Sequence, residues 1–248
     1  MRIKTALGVV CVLSSFLRVA FAASVPRPEI PEPQFARTAW QTLNGDWNFR
    51  FDDNDEGLTN AWFRARLSGT RKIAVPYCFE SKLSGIADTS FHRVMWYERS
   101  FTIPSAWRNR HVLLHFGAVD YRAQVWVNGQ FLGRHEGGGV PFSFDITPDL
   151  KSGTNRLTVR AEDPPTDKSI PRGKQYWEPQ SKSIFYTRTS GIWQPVWLES
   201  TGGNYLTYVH VIAGQNGDAD FHGALNAIPQ QPLHFSVDIL DGDRAVGH

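Results

Sequence analysis

Between Leu43 and Glu199 the chain never sustains a 3.6-residue hydrophobic period. It breaks instead into about eight or nine short runs, each bounded by turn residues. Trp47-Asn48-Phe49-Arg50-Phe51 and Tyr97–Ile103 alternate apolar with polar, and Val112–Phe116 is a short apolar run. Gln124-Val125-Trp126-Val127 and Gln130-Phe131-Leu132-Gly133 flank Asn128-Gly129. Asn and Gly both tolerate positive φ, so this pair predicts a tight hairpin. Phe142–Ile146, Arg156–Ala161 and Gln194–Glu199 complete the series, with one helical turn expected near Asp149-Leu150-Lys151. Such a pattern implies an antiparallel sandwich or barrel. After Thr201-Gly202-Gly203-Asn204, a candidate boundary, Tyr205–Ile212, Phe221–Ile228 and Leu233–Leu240 read as three more strands, and Asp241-Gly242-Asp243 reads as a turn. Three strands fall short of the roughly seven that a sandwich uses, so this second unit reads as incomplete. Its exposed edges favour aggregation.

The N-terminus reads as an export signal. Arg2 and Lys4 precede an apolar run from Ala6 to Leu17, and Ala20-Phe21-Ala22 offers a small-residue cleavage site, which places a signal peptide at 1–22. The run is too short to span a bilayer. The mature product is therefore expected in the periplasm or outside the cell, with no membrane contact after cleavage. Residues 23–40 hold Pro26, Pro28, Pro31 and Pro33, an extended arm. Removing the leader's Arg2, Lys4 and Arg18 takes 26 basic residues to 23, against 24 acidic ones. With no basic stripe left, nucleic acid is not an expected partner. Cys11 leaves with the leader, so Cys78 stands alone and stability must come from packing rather than a disulfide.

Several familiar chemistries do not fit. Gly137-Gly138-Gly139 is followed by Pro141 and Phe142, not by a helix or a Lys-Ser/Thr pair, so a glycine turn between strands is expected rather than a phosphate cradle. His111 and His115 are four apart on a strand, where that spacing separates them, and no third clustered ligand accompanies them, so no metal is expected. No Gly-x-Ser-x-Gly elbow is present. No cofactor is implied.

The excursion from Arg160 to Trp193 is far longer than an ordinary connection. It carries carboxylates, guanidiniums, an amide and aromatic rings, the groups that grip sugar hydroxyls and faces. Packing against a neighbouring domain is the other reading, and the two are compatible.

These segments carry a family likeness. Leu43-Asn44-Gly45-Asp46-Trp47, Val75-Pro76, Trp96-Tyr97 and Val125-Trp126-Val127-Asn128-Gly129 resemble the N-terminal domain of family 2 glycoside hydrolases. So do Leu132–Gly138, Pro141–Thr147 and Thr189–Glu199. That family includes β-galactosidases, β-glucuronidases and β-mannosidases. The resemblance implies an all-β chain, with a sugar-binding jelly-roll sandwich over 41–200 and the start of an immunoglobulin-like sandwich over 204–248. It implies a carbohydrate ligand, a β-glycoside. The family's two catalytic Glu residues lie in a TIM barrel of about 250 residues, whereas 49 residues follow Glu199 here. No residue of this chain inherits those roles, and a barrel present elsewhere is the implied partner. One sugar contact carries over by position from the galactosidase branch: Asp163, just beyond the strand at Arg160–Ala161, with Gln175 and Arg188 offered by the same loop. A companion Asn of that branch has no match near Gly85–Phe91. The expectation is thus the carbohydrate-binding front of a secreted exo-β-glycosidase, inactive alone. An autonomous carbohydrate-binding module and a purely structural or truncated fragment are the alternatives.

Overall fold

The computed structural model describes residues 24–247. The expected signal peptide and Cys11 lie outside the described residues. A six-stranded and a four-stranded antiparallel sheet pack face to face. In chain order the strands are β1 (Trp40–Thr42), β2 (Gly45–Phe51), β3 (Arg71–Val75), β4 (Val94–Thr102), β5 (His111–Phe116), β6 (Val119–Asp120), β7 (Arg122–Val127), β8 (Gln130–Glu136), β9 (Phe142–Asp145), β10 (Thr154–Glu162), β11 (Gly191–Ile192) and β12 (Val196–Thr201). The larger sheet runs β3-β2-β4-β10-β7-β8 and the smaller β1-β12-β5-β9, while β6 pairs with β11.

Alternation along each strand explains the sandwich. Trp47 and Phe49 of β2, Val125 and Val127 of β7, and Leu157 and Val159 of β10 point inward from the large sheet and are fully buried. Val112, Leu114 and Phe116 of β5, with Val196 and Leu198 of β12, face them from the small sheet. Burying one such large side chain contributes about 1.5–3 kcal/mol. The Asn128-Gly129 hairpin forms as expected, with φ of 53° and 86° between β7 and β8. β4 departs from simple alternation, because its first five residues are all buried. The segment from Asp52 to Gly69 folds over the outer face of the large sheet and covers Trp96 and Trp126 with Trp62, Phe63 and Leu67. Asp52 anchors that cover, accepting hydrogen bonds from Trp96 Nε1 at 2.8 Å and from the Gly57 amide at 2.9 Å.

The proline arm is docked rather than free. Asn44 Nδ2 donates to the Pro26 and Arg27 carbonyls, both at 3.1 Å. Arg37 pairs with Glu199 and donates to the Leu206 carbonyl at 2.5 Å. The expected helical turn falls slightly early, as a 3-10 turn over Thr147–Asp149.

Beyond Thr201 the structure corrects the expected strands. β13 (Leu206–Ala213) pairs with β14 (Ala219–Leu225), and β15 (Ile239–Asp241) pairs with β16 (Arg244–Gly247) across a turn at Gly242-Asp243. The run Leu233–Leu240 enters a ladder only at Ile239. A β-prone sequence becomes a strand only when a neighbour supplies a ladder of hydrogen bonds, and none of the described strands includes 233–237.

Candidate functional site

At one end of the sandwich four connections meet: 76–93, 117–121, 137–141 and 163–195. The third contains Gly137-Gly138-Gly139, and the fourth is the long loop. Between them opens a cleft of about 310 Å³, with Asp120 at its floor, Gly138 and Gly139 on one side, and Arg172, Gln175, Tyr186 and Trp193 on the other.

The backbone places Asp120 by a short pairing, Gly191 opposite Asp120 and Ile192 opposite Val119. Glycine is required at 191: φ is +75°, and a Cβ there would lie 2.0 Å from the Tyr97 hydroxyl. The triple glycine is a turn, as expected, and its middle member has a definite task. A Cβ on Gly138 would lie 2.3 Å from Asp120 Oδ1. The backbone therefore closes directly over the carboxylate, and Trp193 Nε1 donates to the Gly138 carbonyl at 2.7 Å. That bond holds the indole at the cleft wall.

Gln175 lines the cleft, and both ends of its amide are engaged. Nε2 donates to Asp120 Oδ2 at 2.8 Å, and Oε1 accepts from the Thr189 amide at 2.7 Å. Asp163 lies behind the cleft wall, 2% exposed, with Ser190 Oγ donating to its Oδ2 at 2.6 Å and Arg172 Nη2 4.0 Å from its Oδ1. Arg188 is also 2% exposed. It donates to the backbone carbonyls of Thr89 at 2.5 Å and Glu178 at 3.2 Å, and its guanidinium sits 4.3 Å from the Phe91 ring centre. Of the three residues singled out from sequence, then, Gln175 reaches the cleft, while Asp163 and Arg188 brace the loop that forms it.

Sequence reasoning missed Asp120. Its signal was a carboxylate set in the apolar run Gly117-Ala118-Val119, where a charge has no surface reason to sit. It also missed Glu80, which is 7% exposed and accepts from the Ser190 amide at 3.2 Å. The second oxygen of Glu80 has no hydrogen-bond partner among the described residues.

Three carboxylates thus share a poorly hydrated region. Burial pushes Asp120 up to about 7, and the charge of Asp163 adds to it, against the opposing effects of Gln175 and Arg172. Burial likewise raises Glu80 to about 7, against hydrogen bonds from Ser190. Asp163 is raised by burial, with Ser190, Arg172 and Arg188 opposing. The cleft can therefore offer a carboxyl near its titration midpoint at neutral pH and two aromatic faces, with Tyr186 52% exposed, while Arg172 at its wall donates to the Pro165 and Pro164 carbonyls at 2.8 and 3.0 Å. Those groups suit a small polyhydroxylated ligand. Among the described residues no group of three or more His, Cys, Asp or Glu side chains could hold a metal ion. His111 pairs with Asp145, and His115 stacks on Trp197 at 4.9 Å.

The fold and its loops define an all-β sandwich domain with a polar cleft at one end. The sequence profile described as "Glycosyl hydrolases family 2, sugar binding domain" matches residues 40–199, and the chain belongs to that family. The dog β-glucuronidase is 32% identical over 199 residues, covering 71% of this chain and 31% of the relative. The rat β-glucuronidase is 34% identical over 229 residues, covering 82% and 35%. A β-galactosidase of Thermoanaerobacter pseudethanolicus is 31% identical over 181 residues, covering 72% and 22%. Among solved structures, a β-glucuronidase of an uncultured Clostridium superposes with a TM-score of 0.61 at 28% identity, covering 78% of this chain and 35% of the other. The chain spans about a third or less of the length of these relatives.

Proposed function

We propose that the cleft at the loop end of the sandwich is where this domain meets its carbohydrate, a β-glycoside. The observation that carries this reading is the convergence of Asp120, Arg172, Tyr186 and Trp193 on one opening. Asp120 supplies charge-assisted hydrogen bonds to hydroxyls, the rings supply stacking faces, and Arg172, bound to the Pro164 and Pro165 carbonyls, holds the loop wall and adds positive charge beside the opening. Gln175 orients Asp120. Asp163 and Arg188 act one step back, Asp163 beside the Arg172 charge and Arg188 fastening the loop to residues 89–91.

In the same reading the chain is the recognition part of an exported family 2 exo-β-glycosidase, and its partner is a catalytic barrel. Residues 204–248 are then the opening strands of the intervening immunoglobulin-like module. The connections at this end of the sandwich carry exposed apolar side chains that suit a neighbouring domain: Leu83 is 66% exposed, Ile184 64% and Val140 54%.

The test is titration of the chain with methyl β-glucuronide, β-galactoside and β-mannoside, alone and as longer β-linked oligosaccharides, against Tyr186→Ala. Saturable binding weakened about tenfold by Y186A supports the reading, as expected for one lost stacking face. Absence of binding to every ligand, or equal binding by the variant, refutes it.

A further inference from the structure

The opposite end of the sandwich holds a second pocket, about 420 Å³, between the β4–β5 and β9–β10 connections. Its lining includes Arg108, Arg110 and Lys151, and it includes no acidic residue. Arg37, Arg93, Arg122 and Arg160 each pair with a carboxylate. Arg108 and Lys151 are exposed, and neither forms an ion pair with a described residue. Among the described residues the Arg110 side chain donates only to Ser200, from Nε to Oγ at 2.9 Å and from Nη2 to the carbonyl at 3.5 Å. Three uncompensated cations converging on one recess of a nearly neutral chain focus a positive potential there.

The recess is preorganised. Asn155, wholly buried, fixes one wall: its Oδ1 accepts from the Lys151 amide at 2.8 Å, and its Nδ2 donates to the Lys151 and Gly153 carbonyls at 3.1 and 3.2 Å. The other wall is a 3-10 turn, Ser105–Trp107, continued by a bond from the Arg110 amide to the Trp107 carbonyl at 3.2 Å. Thr147 Oγ1 accepts from the Val112 amide at 2.9 Å and ties the two walls together. The chemistry is that of donors beside an indole, so the complementary ligand is anionic, rich in oxygen acceptors, and carries an apolar face.

We propose that this recess binds an acidic sugar residue, carrying either a uronate carboxylate or a sulfate ester, as a second glycan site at the end of the domain away from the cleft. The cations take the acidic group, and the sugar ring rests over the apolar lining of Ile103, Leu150 and the edge of the mostly buried Trp107. The proposal rests on the chain handling carbohydrate, but it does not require the cleft to bind.

Calorimetric titration of the full chain at low salt with tetragalacturonate, a sulfated heparin-derived tetrasaccharide, cellotetraose and inorganic sulfate tests it. Binding of either acidic tetrasaccharide, weakened about tenfold or more in Arg108→Ala/Lys151→Ala and by raised salt, supports the site and names the source of the charge. Both replaced side chains are exposed, so the variant is expected to keep the parent melting temperature, and Y186A at the cleft leaves this affinity unchanged. The proposal is overturned if neither acidic sugar binds or if R108A/K151A binds as the parent does. It is equally overturned if cellotetraose or inorganic sulfate binds as well as the acidic sugars and loses that binding in R108A/K151A to the same degree. Loss of acidic-sugar binding in Y186A would move the ligand to the cleft and overturn this site alone.

Discussion

Replacing Asp120 with Asn removes a titrating charge while keeping an acceptor for the Gln175 amide, 2.8 Å away. Burial, reinforced by Asp163, shifts the Asp120 carboxyl from 3.8 to about 7. A shift of that size corresponds to about 4 kcal/mol favouring the protonated form in the folded state. The sign follows from linkage. The folded chain holds this proton more tightly than the unfolded chain, so the stabilisation is complete below pH 3.8 and is lost as pH rises through about 7. Glu80, shifted from 4.5 to about 7, acts in the same direction over nearly the same window. Glu199 is held down to about 2 despite its burial, mainly by His115 with Trp197 and Arg37. It acts oppositely, but its contribution is constant above pH 5. Urea unfolding followed by tryptophan fluorescence at pH 5, 6, 7 and 8 is a direct assay, because all nine tryptophans lie between Trp40 and Trp197. The parent is expected to lose stability from pH 5 to 8. D120N is expected to exceed it by about 1–2 kcal/mol at pH 5 and by about 4 kcal/mol at pH 8, with a shallower slope contributed by Glu80. Parallel pH profiles for parent and variant would refute the reasoning, since they would mean that Asp120 stays ionised throughout and is held so by Arg172.

Other substitutions test the remaining struts. Gly138→Ala forces a Cβ to within 2.3 Å of Asp120 Oδ1 and is expected to cost about 1–3 kcal/mol in urea unfolding while abolishing glycoside binding at the cleft. Asn155→Ala removes a wholly buried hub that also accepts from Asn128 Nδ2 at 2.8 Å, with an expected loss of about 3 kcal/mol in the same assay and of acidic-sugar binding in calorimetry. Glu199→Gln removes stability that is present above pH 4.5 and lost as pH falls through about 2. The variant's acid unfolding midpoint should therefore move upward, and an unchanged midpoint counts against the Arg37–His115–Glu199 cluster as a stabilising unit.

The sandwich was legible because its determinants are local. A two-residue period with Trp47 and Phe49 on one side, or Asn128-Gly129 between apolar runs, fixes a strand or a turn from a few adjacent residues. The double burial of β4 was not legible. Nothing in Val94–Glu98 itself announces that a segment 30 residues earlier covers it, with Asp52 gripping the Trp96 indole. The site was half legible for the same reason. Chemistry-rich composition marked the loop from 163 to 190, and Gln175 does reach the cleft. Which carboxylate would floor that cleft depended on the pairing of Gly191 with Asp120, 71 positions apart, a contact no spacing rule encodes.

The long loop has almost no ladder to hold it. Its internal pairing is a single bridge between Gln175 and Tyr186, helped by Tyr176 stacked on Phe185 at 5.3 Å. A segment of that length without secondary structure needs polar anchors to offset its ordering entropy. The anchors here are the groups around the cleft: Gln175 on Asp120, Ser190 on Asp163 and Glu80, and Arg188 on Thr89. Loop order and cleft chemistry are consequently the same set of contacts, so neither can be changed without the other. This coupling gives D120N a signature that neither a simple stabilising mutation nor a simple contact mutation shares. The variant should be more stable than the parent at pH 8 yet weaker in glycoside binding there, because the charge that burdens the folded state is the charge that would accept a sugar hydroxyl.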